Sequence, residues 1–211
     1  MSPVRIARSD TRATHSRGIV TLKPSHPLIR KLKRELPTPC IHGDKVWDSS
    51  WLLMDELRRN PPPAEGTLMD LGCGWGPLSV YAARKLKQRV IAVDADDGVF
   101  PYLQLHAQLN GVSIETRQRR FEKLSSRDLA EVQTLAGADI CFWDELTPVL
   151  FNLIRRSLKA GVQRIIVADP GRDPFYHLAE RCEKASFNAR VVERKTSTPK
   201  AALADLLIVE A

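Results

Sequence analysis

"LMDLGCGWGP", residues 68–77, is an apolar run that ends in an acid and then carries glycine at every second position, Gly72, Gly74 and Gly76. A short apolar run with such punctuation reads as a buried strand. Glycine lets the chain turn sharply and lets a ligand approach the main chain without meeting a Cβ. Pro77 suits the first turn of a following helix. The stretch is therefore read as strand, loop and helix, with "TLMDLG" (67–72) the strand and "PLSVYAARKL" (77–86) the helix.

Outward from this unit the same alternation repeats. "RVIAVDA" (89–95) is a second strand, followed by a helix with Pro101 near its start and Asn110-Gly111 at its close. "SIETRQRR" (113–120) is a third strand, with a helix expected over 125–134. "ADICFW" (138–143) is a fourth, with "PVLFNLIRRSL" (148–158) its helix. "RIIVADPG" (164–171) and "PFYHLAERCEKA" (174–185) are the fifth strand and its helix. "ARVVERKT" (189–196) and "ADLLIVEA" (204–211) follow with no helix between them, so they pair as an antiparallel hairpin. The fold class is α/β: a doubly wound, Rossmann-like sheet of seven strands with an antiparallel final hairpin and helices on both faces.

Upstream lie "VWDSSWLLMDELRRN" (46–60), a helix with Asp48 or Ser49 as N-cap, and "HPLIRKLKREL" (26–36), with Leu28, Ile29, Leu32 and Leu36 on one face and Pro37 and Pro39 at its end. Residues 1–23 show no apolar period and are expected to be mobile. Two parts result: residues 1–45, a basic arm with a short amphipathic helix, and residues 46–211, the main domain.

The glycines form GxGxG, not the GxGxxG of a dinucleotide site, because position 77 is Pro. Asp70 beside the loop would repel a pyrophosphate, whereas it tolerates a ligand carrying an ammonium or sulfonium group. Asp94 ends the second strand, about twenty residues past the loop, the place of a ribose-binding acid. A carboxylate there accepts from both hydroxyls of a diol. S-adenosylmethionine combines these groups: a cationic methionine end, a ribose diol and an adenine. Its site is expected at Asp70, Gly72, Gly74, Gly76, Asp94 and the adjoining Ala95.

The chain has 211 residues, 43% hydrophobic and 27% charged, which suits one domain with a substantial core. No apolar run approaches the ~20 residues that span a bilayer, and the N-terminus has no signal-peptide core. Cys40, Cys73, Cys141 and Cys182 are scattered, so reduced thiols, no metal site and a cytoplasmic setting are expected. The formal charge of +7 is concentrated in residues 1–40, where Arg5, Arg8, Arg12, Arg17, Lys23, Arg30, Lys31, Lys33 and Arg34 face only Asp10 and Glu35. Such an arm can track phosphates, although no aromatic residue interrupts it before Trp47 to stack on bases.

The glycine loop with its two flanking acids resembles that of the class I S-adenosylmethionine-dependent methyltransferases, over about residues 46–211. Three stretches are most similar to the seven-β-strand protein lysine methyltransferases, in particular the branch acting on the electron-transfer flavoprotein β-subunit. "VWDSSWLLMDEL" (46–57) resembles a helix whose Trp helps enclose the cofactor, which implies that role for Trp47, with Trp51 as a second shield. "ADICFWDELTPVLFNLI" (138–154) resembles the fourth strand with a D-x-x-Y motif. Asp139 matches the acid; Phe142 stands in the aromatic place without the hydroxyl. "VADPGRDPF" (167–175) resembles a D-P-G-R stretch of that branch.

The resemblance implies Asp139 and Phe142 as catalytic positions: Asp139 accepting the proton of a lysine amine, and Phe142 guiding the methylammonium through its ring. Asp144 and Glu145 would attract the lysine. Where the class usually has an acid and a small residue beside adenine, this chain has "RRFEKL" (119–124), so Phe121 is assigned to the ring and Glu122 to the amino group. A protein substrate is the leading expectation. The alternatives are RNA, methylated on a ring nitrogen or ribose with help from the arm, a small-molecule amine, or cofactor binding without catalysis. Cys141 lies in an apolar stretch and is read as core rather than as a nucleophile.

Overall fold

A computed structural model describes residues 6–36, 39, 41, 43 and 45–211. Arg5, Pro37 and Cys40, named above, lie outside the described residues.

The central strand is β3 (Thr67–Leu71), buried along its whole length, as a parallel strand covered on both faces must be. It pairs in parallel with β4 (Arg89–Asp94) on one side and β6 (Thr134–Ala138) on the other. Beyond β4 lies β5 (Glu115–Gln118), and beyond β6 lies β7 (Arg164–Asp169), both parallel. β8 (Asn188–Thr196) and β9 (Ala202–Glu210) form the antiparallel hairpin, with β9 inserted against β7. The order is β5-β4-β3-β6-β7-β9-β8, seven strands as read from the sequence.

Side chains of β3 alternate between two apolar layers. Leu68 joins the layer of α2 (Ser49–Arg59), α3 (Pro77–Lys85) and α4 (Phe100–Asn110); Met69 and Leu71 join that of α6 (Leu146–Lys159) and α7 (Asp173–Lys184). The chain order reverses at β3, and the carboxyl ends of β4, β3, β6 and β7 come out side by side. This is the crevice where open α/β sheets bind ligands.

Three expectations change. The fourth strand is Thr134–Ala138 and not 138–143, so Asp139, Cys141 and Phe142 follow the strand instead of lying in it. The helix expected over 125–134 is one turn, α5 (Ser126–Leu129), closed by a Ser125/Asp128 capping box. Ile140 and Cys141 of "ADICFW" join the core, and burial without ladder pairing gives the same local signal as a strand.

Residues 1–23 hold the third difference. β1 (Ala13–Ser16) and β2 (Ile19–Leu22) form a hairpin whose turn residues Arg17 and Gly18 both have positive φ, as a two-residue turn requires. The hairpin is seated on the main domain. The Asn110 side chain accepts the Val20 N–H at 2.8 Å and donates to its carbonyl at 2.7 Å, and Arg17 forks onto Asp55 at 3.0 and 2.6 Å over the Trp51 ring. Strands of only four residues leave little periodicity to read. The amphipathic helix is α1 (Pro27–Glu35), which buries Ile29 beside Trp75 and Tyr102. Asp48 is the N-cap of α2, yet its carboxylate pairs with Lys200 at 2.7 Å rather than capping.

Candidate functional site

At the carboxyl ends of these strands lies a cleft of about 220 Å³. One wall is the glycine loop. Gly74 has φ +50°, and a Cβ built on it would meet none of the described residues within 4 Å, so its bare Cα faces the cleft. Gly76 is different: at φ +70° its Cβ would sit 2.5 Å from Leu103, which makes it a packing glycine at the start of α3, outside the cleft wall. Gly72 lines the cleft and leaves room for Ile140.

The loop's N–H groups are largely spent within the protein. Cys73 donates to the Val93 carbonyl at 3.0 Å, Gly76 to the Cys73 carbonyl at 2.8 Å, and Gly74 to Asp94 Oδ2 at 3.0 Å. Pro77 has no N–H, and Ser79 gives its own to Asp70 at 3.1 Å. An anion cradle needs free donors at the helix start; here the Gly74 and Ser79 N–H groups are already given to carboxylates. With two carboxylates beside it, the loop suits a ligand that brings positive charge.

Asp70 is not in the cleft wall. The two-residue period of β3 turns it with Leu68 toward α3, where Oδ2 accepts from the Ser79 N–H and, at 2.6 Å, from its hydroxyl. Burial pushes its pKa up to about 7, against the pull of Ser79. Asp94, by contrast, lines the cleft. Its oxygens accept from Gly74 and Asp96 N–H, both at 3.0 Å, and burial raises its pKa despite those bonds. Ala95 lies beside it, with Phe121 and Glu122 on the same wall. Arg156 of α6 pins that turn by donating to the Phe121 and Leu124 carbonyls at 2.9 and 3.2 Å.

The opposite end is aromatic and acidic. Trp47 meets Phe142 edge to face at 5.6 Å, and Lys45 lies over the Trp47 ring at 4.2 Å. Asp139, at φ +57° and 5% exposed, closes this end. Burial raises its pKa, opposed by Ser49 and Arg172. Oδ1 accepts from Arg172 at 3.1 Å, whereas Oδ2 is buried with no hydrogen-bond partner among the described residues. Arg172 also lies over the Phe142 ring at 4.4 Å, so one face of that ring is already covered by a cation. Trp51 is core under Arg17, outside the cleft wall, and Cys141 is 1% exposed with burial raising its thiol pKa. Exposed Asp144 pairs with His177 at 3.0 Å.

Sequence reasoning assigned no role to Arg172 or Asp169. The D-P-G-R stretch was the available signal: an acid at a strand end with Arg three residues on. Among the described residues, no group of three or more His, Cys, Asp or Glu could hold a metal ion, and no helix is long and apolar enough to cross a membrane.

A family model described as "Methyltransferase domain" matches residues 68–162, from the glycine-loop strand to the end of α6. The electron transfer flavoprotein beta subunit lysine methyltransferase of Xenopus laevis is 27% identical over 184 residues, covering 78% of this chain and 74% of that protein. Among solved structures, human methyltransferase 10 domain containing protein aligns with a TM-score of 0.60 at 12% identity, over 77% of this chain and 81% of that one. TrmN from Thermus thermophilus aligns with a TM-score of 0.59 at 20% identity, over 75% of this chain and 48% of that one. The domain match falls on the loop and cleft described above, and the chain is a class I S-adenosylmethionine-dependent methyltransferase.

Proposed function

We propose that this methyltransferase N-methylates a lysine side chain of a protein, with Asp139 as the acid facing the acceptor nitrogen. The observation that carries the reading is Asp139 Oδ2, buried at the strand-end side of the cleft with no hydrogen-bond partner among the described residues. A buried carboxylate oxygen without a partner is costly, and an incoming N–H donor relieves it. The similarity to the Xenopus lysine methyltransferase, which extends over most of both chains, points the same way.

The cleft fits the methyl donor that the family implies. S-adenosylmethionine, when bound, supplies the electrophilic methyl: the amine lone pair forms the new bond to carbon as the carbon–sulfur bond breaks and its electrons return to sulfur. Asp94 would accept from the ribose diol, and the open Cα of Gly74 gives the methionine end room. Phe121 would lie against adenine, with Glu122 near its amino group. Trp47 and Phe142 would keep water out of the reacting end, and the protein's contribution is mainly positioning and exclusion. A lysine ammonium must first lose a proton; Asp139 would hold the ammonium and take it.

The test is transfer of labelled methyl into lysate from cells lacking the gene, with protease or nuclease treatment before counting. Label in a protein band, lost to protease, is expected, with purified electron-transfer flavoprotein the first single acceptor to try. Label lost to nuclease would overturn the reading. The observation favouring that second outcome is the exposed basic face of α1, with Arg30, Lys31 and Arg34.

A further inference from the structure

Arg172 stands just past β7, beside the cleft but outside its wall. Its guanidinium is shared three ways. Nη1 donates to Asp169 Oδ2 at 2.7 Å, Nη2 donates to Asp139 Oδ1 at 3.1 Å, and the flat face lies over Phe142. Asp169 is fully buried, and its other oxygen accepts the N–H groups of Gly171 and Arg172 at 3.0 and 2.8 Å. The cation therefore rests on a carboxylate that cannot turn.

We propose that Arg172 is the positioning residue of the methyl-acceptor end: its fork holds Asp139 by Oδ1 so that Oδ2 is left for the acceptor nitrogen, and its face seats the Phe142 ring. Both ends of this role need a planar, forked cation. Lysine carries the charge without the fork or the flat face. The proposal rests on Asp139 as the partner of the acceptor nitrogen.

A readout follows from the charges around Asp139. Arg172 and Asp169 face it from the β7 end and Ser49 from the start of α2, with the buried Cys141 thiol next to it; Lys45, Arg120 and Glu122 line the same cleft. Of these, Arg172 is the cation bonded to the carboxyl. Weakening that bond leaves burial less opposed, so Asp139 holds its proton to higher pH than in the wild type and is the poorer acceptor at a given pH. Raising the pH restores that role.

The experiment compares wild type with Arg172→Lys and Arg172→Gln on whichever lysate fraction, protein or nucleic acid, wild type labels. Calorimetric binding of S-adenosylmethionine and a thermal melt confirm that each variant is folded. Arg172→Lys keeps a charge beside Asp169 for that purpose, since an unpaired buried acid destabilises strongly. The expected result is a kcat about ten-fold or more lower at about pH 7, largely recovered at about pH 9, with cofactor affinity unchanged. Placed on Asp139→Asn, Arg172→Lys should cause a smaller loss than on the wild type, the remainder coming from the seat of Phe142. Equal losses at both pH values, full additivity with Asp139→Asn, or no loss would overturn the proposal. Label in nucleic acid alone would overturn the lysine reading and leave this comparison decisive for Arg172. No label in either fraction would overturn both.

Discussion

His106 accepts the main-chain N–H of Leu22 at Nε2, 2.9 Å away, while its Nδ1 lies 3.0 Å from the carbonyl of Trp75. One ring thus joins the N-terminal hairpin to the glycine loop. Because Leu22 N–H can only donate and a carbonyl can only accept, the ring must be neutral with its proton on Nδ1. Trp75 itself stacks on Tyr102 at 5.1 Å, one turn before His106 in α4.

Burial holds the His106 pKa down at about 4. The unfolded chain then binds more protons than the folded one between about pH 6.5 and 4, so stability is fully present above that window and falls as pH drops through it. The loss attributable to this ring is about 3 kcal/mol at most. Urea unfolding at a series of pH values should show a slope in this window that His106→Gln flattens. An unchanged slope would mean that the carboxylates alone set it.

Asp94→Ala should weaken S-adenosylmethionine binding by about a hundred-fold or more, because the acid is proposed to accept from the ribose while also holding the Gly74 and Asp96 N–H groups. The expected cost in stability is only about 1–3 kcal/mol, from two donors left without their carboxylate. Calorimetry and a thermal melt separate the two effects; retained affinity would remove Asp94 from the cofactor site.

Gly74 and Gly76 look alike in the sequence and should differ on substitution. Gly74→Ala carries only the strain of positive φ, about 1 kcal/mol, yet intrudes on the ligand's space. Gly76→Ala carries the same strain and also drives a Cβ into Leu103. Cofactor affinity should fall most for Gly74→Ala and melting temperature most for Gly76→Ala. The reverse ranking would exchange their roles.

These differences mark the limit of what was legible in sequence. Alternating apolar runs, Gly and Pro punctuation and the spacing from Gly72 to Asp94 are local signals. They were enough for the seven-stranded sheet, its final hairpin and the family, because a doubly wound sheet imposes its pattern on every strand–helix unit along the chain. Asp94 could be placed for the same reason: a residue ending β4 must emerge beside the loop ending β3 once the strands pair in register.

Other features depended on partners far away in the chain. The hairpin over 13–22 is held by Asn110, Asp55 and His106, none of them near it in sequence. Within "ADICFW", Ile140 and Cys141 are buried core residues, and only the pairing of Thr134–Ala138 with β3 and β7 shows that the strand has already ended. Asp70, an acid beside a glycine loop, faces the ligand or the helix according to the parity of the strand, and the layering of the sheet chose the helix. Arg172 reaches Asp139 across 33 residues. Local chemistry named the ends of the strands; the close approach of those ends, which tertiary packing alone brings about, assembled the acids, the guanidinium and the rings into one cleft.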